Sequence, residues 1–201
     1  MIQKEWERLR QMIFELSYRE GTFRLTSGKE SDFYIDCKQT TLSAEGAYLC
    51  GKLLYNRILQ SNISISGVGG MTLGADPLVT AVSVVSFIEG KPIPAFIIRK
   101  EAKGHGTGSW IEGKSNIPLG SKVALVEDVV TTGGTLIQAI ERTEEEGYKV
   151  AQVLTVVDRE EGGEKALSNA GYELSSLFTR GDIMALVEKS VGCGKTDVVI
   201  P

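Results

Sequence analysis

This sequence is poor in cysteine and has neither an excess of basic charge nor long apolar runs. The three cysteines, Cys37, Cys50 and Cys193, are odd in number and far apart. They form neither a disulfide framework nor a paired metal motif, so a reducing, cytoplasmic setting is expected. Lys plus Arg number 22 against 26 Asp plus Glu, a net charge of −4. There is no global basic footprint for duplex nucleic acid, and any anion site must be local. Apolar runs such as residues 79–88 and 122–126 are short or interrupted, well under the roughly 20 residues of a membrane-spanning helix. Residues 1–10 mix both charge signs without an apolar h-region, so neither a membrane anchor nor a secretory leader is expected.

What is present is an ordinary globular composition, 42% hydrophobic and 24% charged over 201 residues. That length suits one α/β domain. Residues 3–18 carry Trp6, Leu9, Met12, Ile13 and Leu16 at helical spacing, which predicts an amphipathic helix with a core or dimer-contact stripe. Residues 22–36 alternate around Ser27-Gly28 and predict a hairpin. Ser43 caps a predicted helix to about Gln60. Strand and helix then alternate: strand 63–68, helix to Ile88 with Asp76 as cap and Pro77 in its first turn, strand 94–98, a Gly-rich stretch 99–119, and strand 122–127. Helix 134–146, strand 150–157, helix 164–170, strand 174–178, helix 182–190 and a last apolar run 198–200 complete the pattern. The alternation predicts a mainly parallel sheet covered by helices on both faces, with about the first 42 residues as an added layer on a core of 43–201.

The chemistry concentrates in KVALVEDVVTTGGT, residues 122–135. An apolar strand runs into two adjacent carboxylates, Glu127 and Asp128, which emerge at the carboxyl ends of the strands, where ligands of open α/β folds bind. Ionised carboxylates only accept hydrogen bonds, so they suit sugar hydroxyls and a Mg²⁺ held mostly by substrate oxygens and water. Thr131, Thr132, Gly133, Gly134 and Thr135 put hydroxyls and amides at a helix start that favours phosphate. The bland alternative is a solvated acidic pair before an ordinary turn. A second cluster, RKEAKGHGTGSWIEG at 99–113, gathers Arg99, Lys100, Lys103 and His105 beside glycines. It reads either as a solvated basic loop or as a mobile cationic cover for a leaving pyrophosphate.

The first segment resembles the 5-phosphoribosyl-1-pyrophosphate (PRPP) motif of type I phosphoribosyltransferases. RKEAKGHGTG resembles the lid of the orotate phosphoribosyltransferase family, and FRLTSGKESDFYID its N-terminal hood. The resemblance implies the parallel-sheet type I phosphoribosyltransferase core with an N-terminal hood (residues 1–42) and a lid over residues 99–116. It implies that PRPP is bound by Arg99, Lys100, Lys103, His105 and the run Glu127, Asp128, Val129, Val130, Thr131, Thr132, Gly133, Gly134 and Thr135. Lys103, His105 and Asp128 would be catalytic, Thr131 and Arg159 would hold orotate, and Mg²⁺ would be carried by PRPP and water rather than by a protein cage. It further implies a homodimer that shares the lid, acting on small molecules and not on nucleic acid or membrane. A purine phosphoribosyltransferase and a non-catalytic PRPP-binding regulator are the alternatives.

Two departures stand out. Family members often carry Lys where this chain has Thr26, and an aromatic-Lys pair where it has Thr72-Leu73. Either Gly69, Gly70 and Thr72 supply donors for pyrophosphate in their place, or PRPP affinity is reduced. Tyr34 and Ile35 stand where an aromatic pair is common. GCGKT at 192–196 lacks the leading Gly and following helix of a P-loop. The acidic run Glu141–Glu146 is expected to be a solvated face, and Trp110 either a lid anchor or an exposed aromatic.

Overall fold

The computed structural model describes residues 2–24, 30–101 and 109–191. Thr26, the Ser27-Gly28 turn, Lys103, His105, Cys193, the GCGKT segment and the run 198–200 lie outside the described residues. Helix α1 (Ile2–Met12) buries Leu9 and Met12, and its Trp6 indole donates to the carbonyl of Leu177 at 2.9 Å while stacking on Phe178. The stripe is core. The helix does not run on to Tyr18 as its spacing predicts, because residues Ile13–Ser17 widen into a π turn. There Thr40 Oγ1 donates to the Met12 carbonyl at 3.4 Å and shares a 2.7 Å bond with Ser17 Oγ. A side chain brought in from a later helix thus occupies a carbonyl of the last turn, which helps to end the regular α pattern.

The predicted hairpin is β1 (Tyr18–Arg24) against β2 (Glu30–Ile35), antiparallel with an irregularity between Glu20 and Phe23. A short α2 (Lys38–Thr41) leads into α3 (Ala44–Gln60), whose N-cap is Ser43, its hydroxyl accepting from Gly46 N at 3.1 Å as predicted. The next strand differs from expectation: β3 is Gly67–Met71, while Ile63 is exposed and Asn62 has φ 57°. All five residues of β3 are buried, and its glycines leave room for neighbouring side chains: a Cβ on Gly67 would run into Ile117 and one on Gly69 into the Phe96 ring. Helix α4 (Asp76–Ile88) has Ala75, not Asp76, at its N-cap. The Asp76 carboxylate instead accepts the Thr72 hydroxyl at 2.8 Å.

β4 (Ala95–Ile98) pairs with a two-residue antiparallel strand β5 (Ile111–Glu112), too short to have shown a period. β6 (Lys122–Val130), α5 (Gly134–Glu145), β7 (Lys149–Asp158), α6 (Gly163–Asn169), β8 (Leu174–Thr179) and α7 (Arg180–Val191) follow. The main sheet has the order β5-β4-β3-β6-β7-β8, parallel except at β5. One core lies under α1, the hairpin, α3 and α4 and takes Ala124 and Val126 of β6. The other lies under α5 and α6 and takes Val123 and Leu125.

Candidate active site

β6 runs through both acids to Val130, so Glu127 and Asp128 belong to the strand rather than to a loop beyond it. The alternation that sends Ala124 and Val126 to one core and Val123 and Leu125 to the other does not run to the strand end, where Val129 packs on the first core and Val130 joins the second. Glu127 lines a cavity of about 80 Å³ with residues 129–136. Asp128, whose carboxylate lies within reach of that of Glu127, meets the turn before α4. There Gly74 approaches so closely that a Cβ on it would lie 2.5 Å from Asp128 Oδ1. One pair of neighbours in sequence thus faces two different surroundings.

Both acids are nearly buried, at 6% and 9% exposure. Burial, followed by the charge of Asp128, pushes the Glu127 carboxyl well above its usual range, and Lys100 pulls weakly the other way. Glu127 Oε2 is buried without a hydrogen-bond partner, which is costly unless a ligand supplies one. Asp128 Oδ1 accepts from Val129 N at 2.9 Å, and its Oδ2 lies 3.9 Å from Lys38 Nζ. Gly133 is the N-cap of α5 with φ 82°, a left-handed turn that glycine adopts without strain. Thr132, Gly134 and Thr135 are exposed around that helix start, where the free amides and helix dipole favour an anion.

The two predicted orotate residues also meet. β6 and β7 are in register at Val130 and Asp158, and Arg159 N donates to the Val130 carbonyl at 2.9 Å. Thr131 and Arg159 are consequently side by side past adjacent strand ends. The Arg159 side chain is buried, pairs with Glu161 at 2.8 Å and lies 4.4 Å over the Phe33 ring. The hood residue that reaches Arg159 is Phe33, next to the Tyr34-Ile35 pair. Tyr34 points to the opposite face of β2, half exposed against Phe23, and Ile35 joins the core. Gly69 and Gly70, read as loop donors, are instead inside β3 opposite Phe96 and Ile97. The turn offering donors begins only at Thr72.

Arg99 and Lys100 leave the end of β4. Arg99 pairs with Glu112 at 3.0 Å and takes the Trp110 carbonyl on its amide at 2.9 Å. Trp110 is not an exposed aromatic. It is half buried under the Arg142 guanidinium, 4.2 Å from its ring centre, while Arg142 also donates to the Arg99 carbonyl at 2.8 Å. Glu146 departs from the solvated-face expectation: its carboxylate accepts Ser109 Oγ and Trp110 N, both at 2.7 Å, and Lys114 Nζ at 2.9 Å. Both stems of segment 102–108 are thus tied to the far end of α5, the helix whose start forms the anion cradle.

Burial alone would raise the Glu146 carboxyl, but the bonds from Lys114, Ser109 and Trp110 outweigh it and hold the group below its ordinary value. Its contribution to stability is present above the ordinary carboxylate range and is lost as pH falls through the depressed value. Glu146→Gln is expected to cost about 1–2 kcal/mol at neutral pH. The difference in melting temperature from the parent should vanish on acidification; a difference independent of pH would remove the carboxylate from this role.

Phe33, Lys38, Gly74, Arg142, Glu146 and Glu161 carry no local sequence signal, since each meets its partner only through the fold, apart from the near neighbours Arg159 and Glu161. A groove of about 570 Å³ between α3, β7 and β8 lies away from all of these residues.

Comparison with known proteins agrees with this geometry. The model of the phosphoribosyl transferase domain matches residues 43–171. Orotate phosphoribosyltransferase of Thermosynechococcus vestitus is 47% identical over 186 residues, 90% of this chain and 96% of that protein. The crystal structure of orotate phosphoribosyltransferase from Mycobacterium tuberculosis with Fe(III) dicitrate superposes with a TM-score of 0.77 at 37% identity, covering 89% of this chain and 98% of that one. The same enzyme in complex with PRPP gives a TM-score of 0.72 at 33% identity, covering 90% and 99%. An acid pair near the end of one strand, an anion cradle beside it and a buried arginine at the next strand end therefore sit in a fold and a sequence that agree, and the chain belongs to the orotate phosphoribosyltransferase family.

Proposed function

We propose that this chain transfers the 5-phosphoribosyl group of PRPP to orotate, forming orotidine 5′-monophosphate and pyrophosphate, a step of UMP synthesis. The bond between C1 of the ribose and the diphosphate oxygen breaks with its electron pair leaving on pyrophosphate, and a ring nitrogen of orotate, giving up its proton, bonds to C1. The observation that carries this reading is the adjacency of the acid pair, the α5 cradle and the Thr131–Arg159 corner at the ends of β6 and β7.

In this reading residues 131–135 hold the 5-phosphate, Glu127 and Asp128 accept the ribose hydroxyls, and Val129 and Val130 keep the floor of the site dry. Arg159 pairs with the orotate carboxylate beside the Thr131 hydroxyl, with Phe33 against its guanidinium. Arg99, Lys100, Lys103 and His105 supply cations to the departing pyrophosphate. Among the described residues no three His, Cys, Asp or Glu side chains cluster as a metal cage. The orphaned Glu127 oxygen and the adjacent Asp128 nevertheless fit a Mg²⁺ that takes most of its oxygens from PRPP and water. When bound, Mg²⁺ neutralises charge on the diphosphate. The chain's own part is to orient the sugar and exclude water from C1.

The family match starting at residue 43 supports treating 1–42 as helix and hood and 43–201 as one core. A homodimer is supported by the exposed apolar residues Leu42, Leu73, Val84, Phe87 and Ile88, a patch that a second copy would cover. Residues 77, 81, 84 and 88 share one face of α4, and that face borders Leu73 near the mouth of the site, which suits lids shared across the twofold. The net charge is −4 and no described helix is long and apolar enough to cross a membrane; a cytoplasmic enzyme acting on small molecules is part of this reading.

The test is loss of orotate absorbance on adding PRPP and Mg²⁺, with adenine, hypoxanthine and uracil in parallel. Turnover of a purine but not orotate would assign a purine enzyme, and PRPP binding without any turnover a regulator. Within the orotate assignment, Arg159→Ala is expected to raise the KM for orotate about 100-fold, because a charge-assisted pair in a buried corner is lost. The KM for PRPP should change far less. Equal turnover of uracil and orotate by the parent enzyme would sink the role of Arg159.

A further inference from the structure

We propose that Lys38, supplied by the helix that follows the hood, is a substrate-binding residue whose ammonium meets the diphosphate end of PRPP. The inference rests on the reading of this site as a PRPP site. The 5-phosphate belongs to the cavity beside Glu127, lined by residues 129–136. PRPP carries its phosphate and its diphosphate on opposite ends of the ribose, so the diphosphate extends past Asp128, away from that cavity. The turn Thr72 to Asp76 lies there, with Gly74 against the Asp128 carboxylate. The turn contains no lysine or arginine, and it adds a carboxylate, Asp76. Apart from Mg²⁺ and the cations of residues 99–105, the turn offers nothing to offset these two acids and the diphosphate.

Lys38 provides a cation there. Its Nζ is 3.9 Å from Asp128 Oδ2 and 2.7 Å from Asp36 Oδ1, and its side chain lines the same open cavity as Leu73 and Asp76, about 440 Å³ in volume. Asp36 is itself fixed at the start of α2, accepting from Lys38 N at 3.2 Å and Gln39 Nε2 at 3.3 Å. The ammonium is thereby held in advance, with two of its three protons left for a ligand. Its side chain is 38% exposed, more than a lysine buried only to neutralise Asp128 would be. The hydrogen bond to Asp36 also raises its pKa, which keeps it charged. The turn itself carries no cation, so one arriving from α2 supplies the charge that it lacks.

The experiment measures binding of Mg²⁺-PRPP and of ribose 5-phosphate, without orotate, by calorimetry on the parent enzyme, Lys38→Gln and Lys38→Arg, with melting temperatures as a control of folding. Ribose 5-phosphate keeps the sugar and the 5-phosphate but has no diphosphate. Lys38→Gln is expected to weaken PRPP about tenfold or more while ribose 5-phosphate changes by less than about twofold, and Lys38→Arg is expected to recover most of the loss. Equal weakening of both ligands would overturn the proposal in favour of an effect through Asp128. No weakening of either would reduce Lys38 to a surface ion pair. Failure of the parent enzyme to bind PRPP would remove the PRPP reading itself, whereas tight PRPP binding indifferent to Lys38 would remove only this residue.

Discussion

Asp128→Asn is expected to lower kcat/KM for PRPP about 100-fold with the fold intact. An amide keeps one acceptor but turns a donor toward a ribose hydroxyl, and it drops the charge that faces Lys38 at 3.9 Å. Circular dichroism and melting should match the parent enzyme; unchanged kcat/KM would take Asp128 out of the site. Its neighbour should behave differently in stability. Glu127 is buried with one oxygen unpartnered, and its carboxyl is raised above its ordinary value by burial and by Asp128. The native state therefore holds this proton more tightly than the unfolded chain. The stabilisation is complete below the ordinary carboxylate range and is lost as pH rises through the raised native value. Glu127→Gln, which cannot ionise, should melt above the parent enzyme at pH 8, and the gap should close toward pH 4. The same substitution should impair use of PRPP, so a site built to accept hydroxyls is less stable empty than its neutral variant. A lower melting point for Glu127→Gln at pH 8 would refute the buried-charge account.

Lys103→Ala is expected to reduce kcat about 100-fold or more while PRPP binding in the open state changes far less. Pyrophosphate departure develops positive charge on the ribose and negative charge on the leaving oxygens. A cation arriving with closure acts mainly on that transition state. The stems of the segment carrying Lys103 are anchored, with Arg99 N on the Trp110 carbonyl and both stems bound by Arg142 and Glu146 of α5. The anchoring fixes where the segment leaves and returns. If the dimer shares its lids, mixing inactive Lys103→Ala with inactive Asp128→Asn should restore activity, because one site of each heterodimer receives an intact lid from one chain and an intact acid pair from the other. Failure to complement, in mixtures shown to contain heterodimers, would mean that each chain closes its own site.

Much of the site was legible because its parts are contiguous. The acids and the cradle occupy one strand, turn and helix, and such a unit announces itself by an apolar run, two charges and a Thr/Gly turn. The Ser43 cap was legible for the same reason, as its partner Gly46 is three residues away. β3 was misplaced because pattern reading counts apolar side chains, while a central strand covered on both faces accepts glycine. The end of α1 was misjudged because Thr40, which occupies the Met12 carbonyl, is 28 residues distant.

By itself, the sequence determined the helix and strand alternation, the position of the acid pair and phosphate turn, and the family, since each depends on local periodicity or on a run of adjacent residues. Only the tertiary structure decided that Glu127 lines the cavity at the start of α5 while Asp128 meets Gly74 and Lys38, that Phe33 meets Arg159, and that Glu146 binds Ser109, Trp110 and Lys114 instead of facing solvent. These facts come from packing between elements far apart in the chain. Such distances in space leave no mark on spacing in sequence.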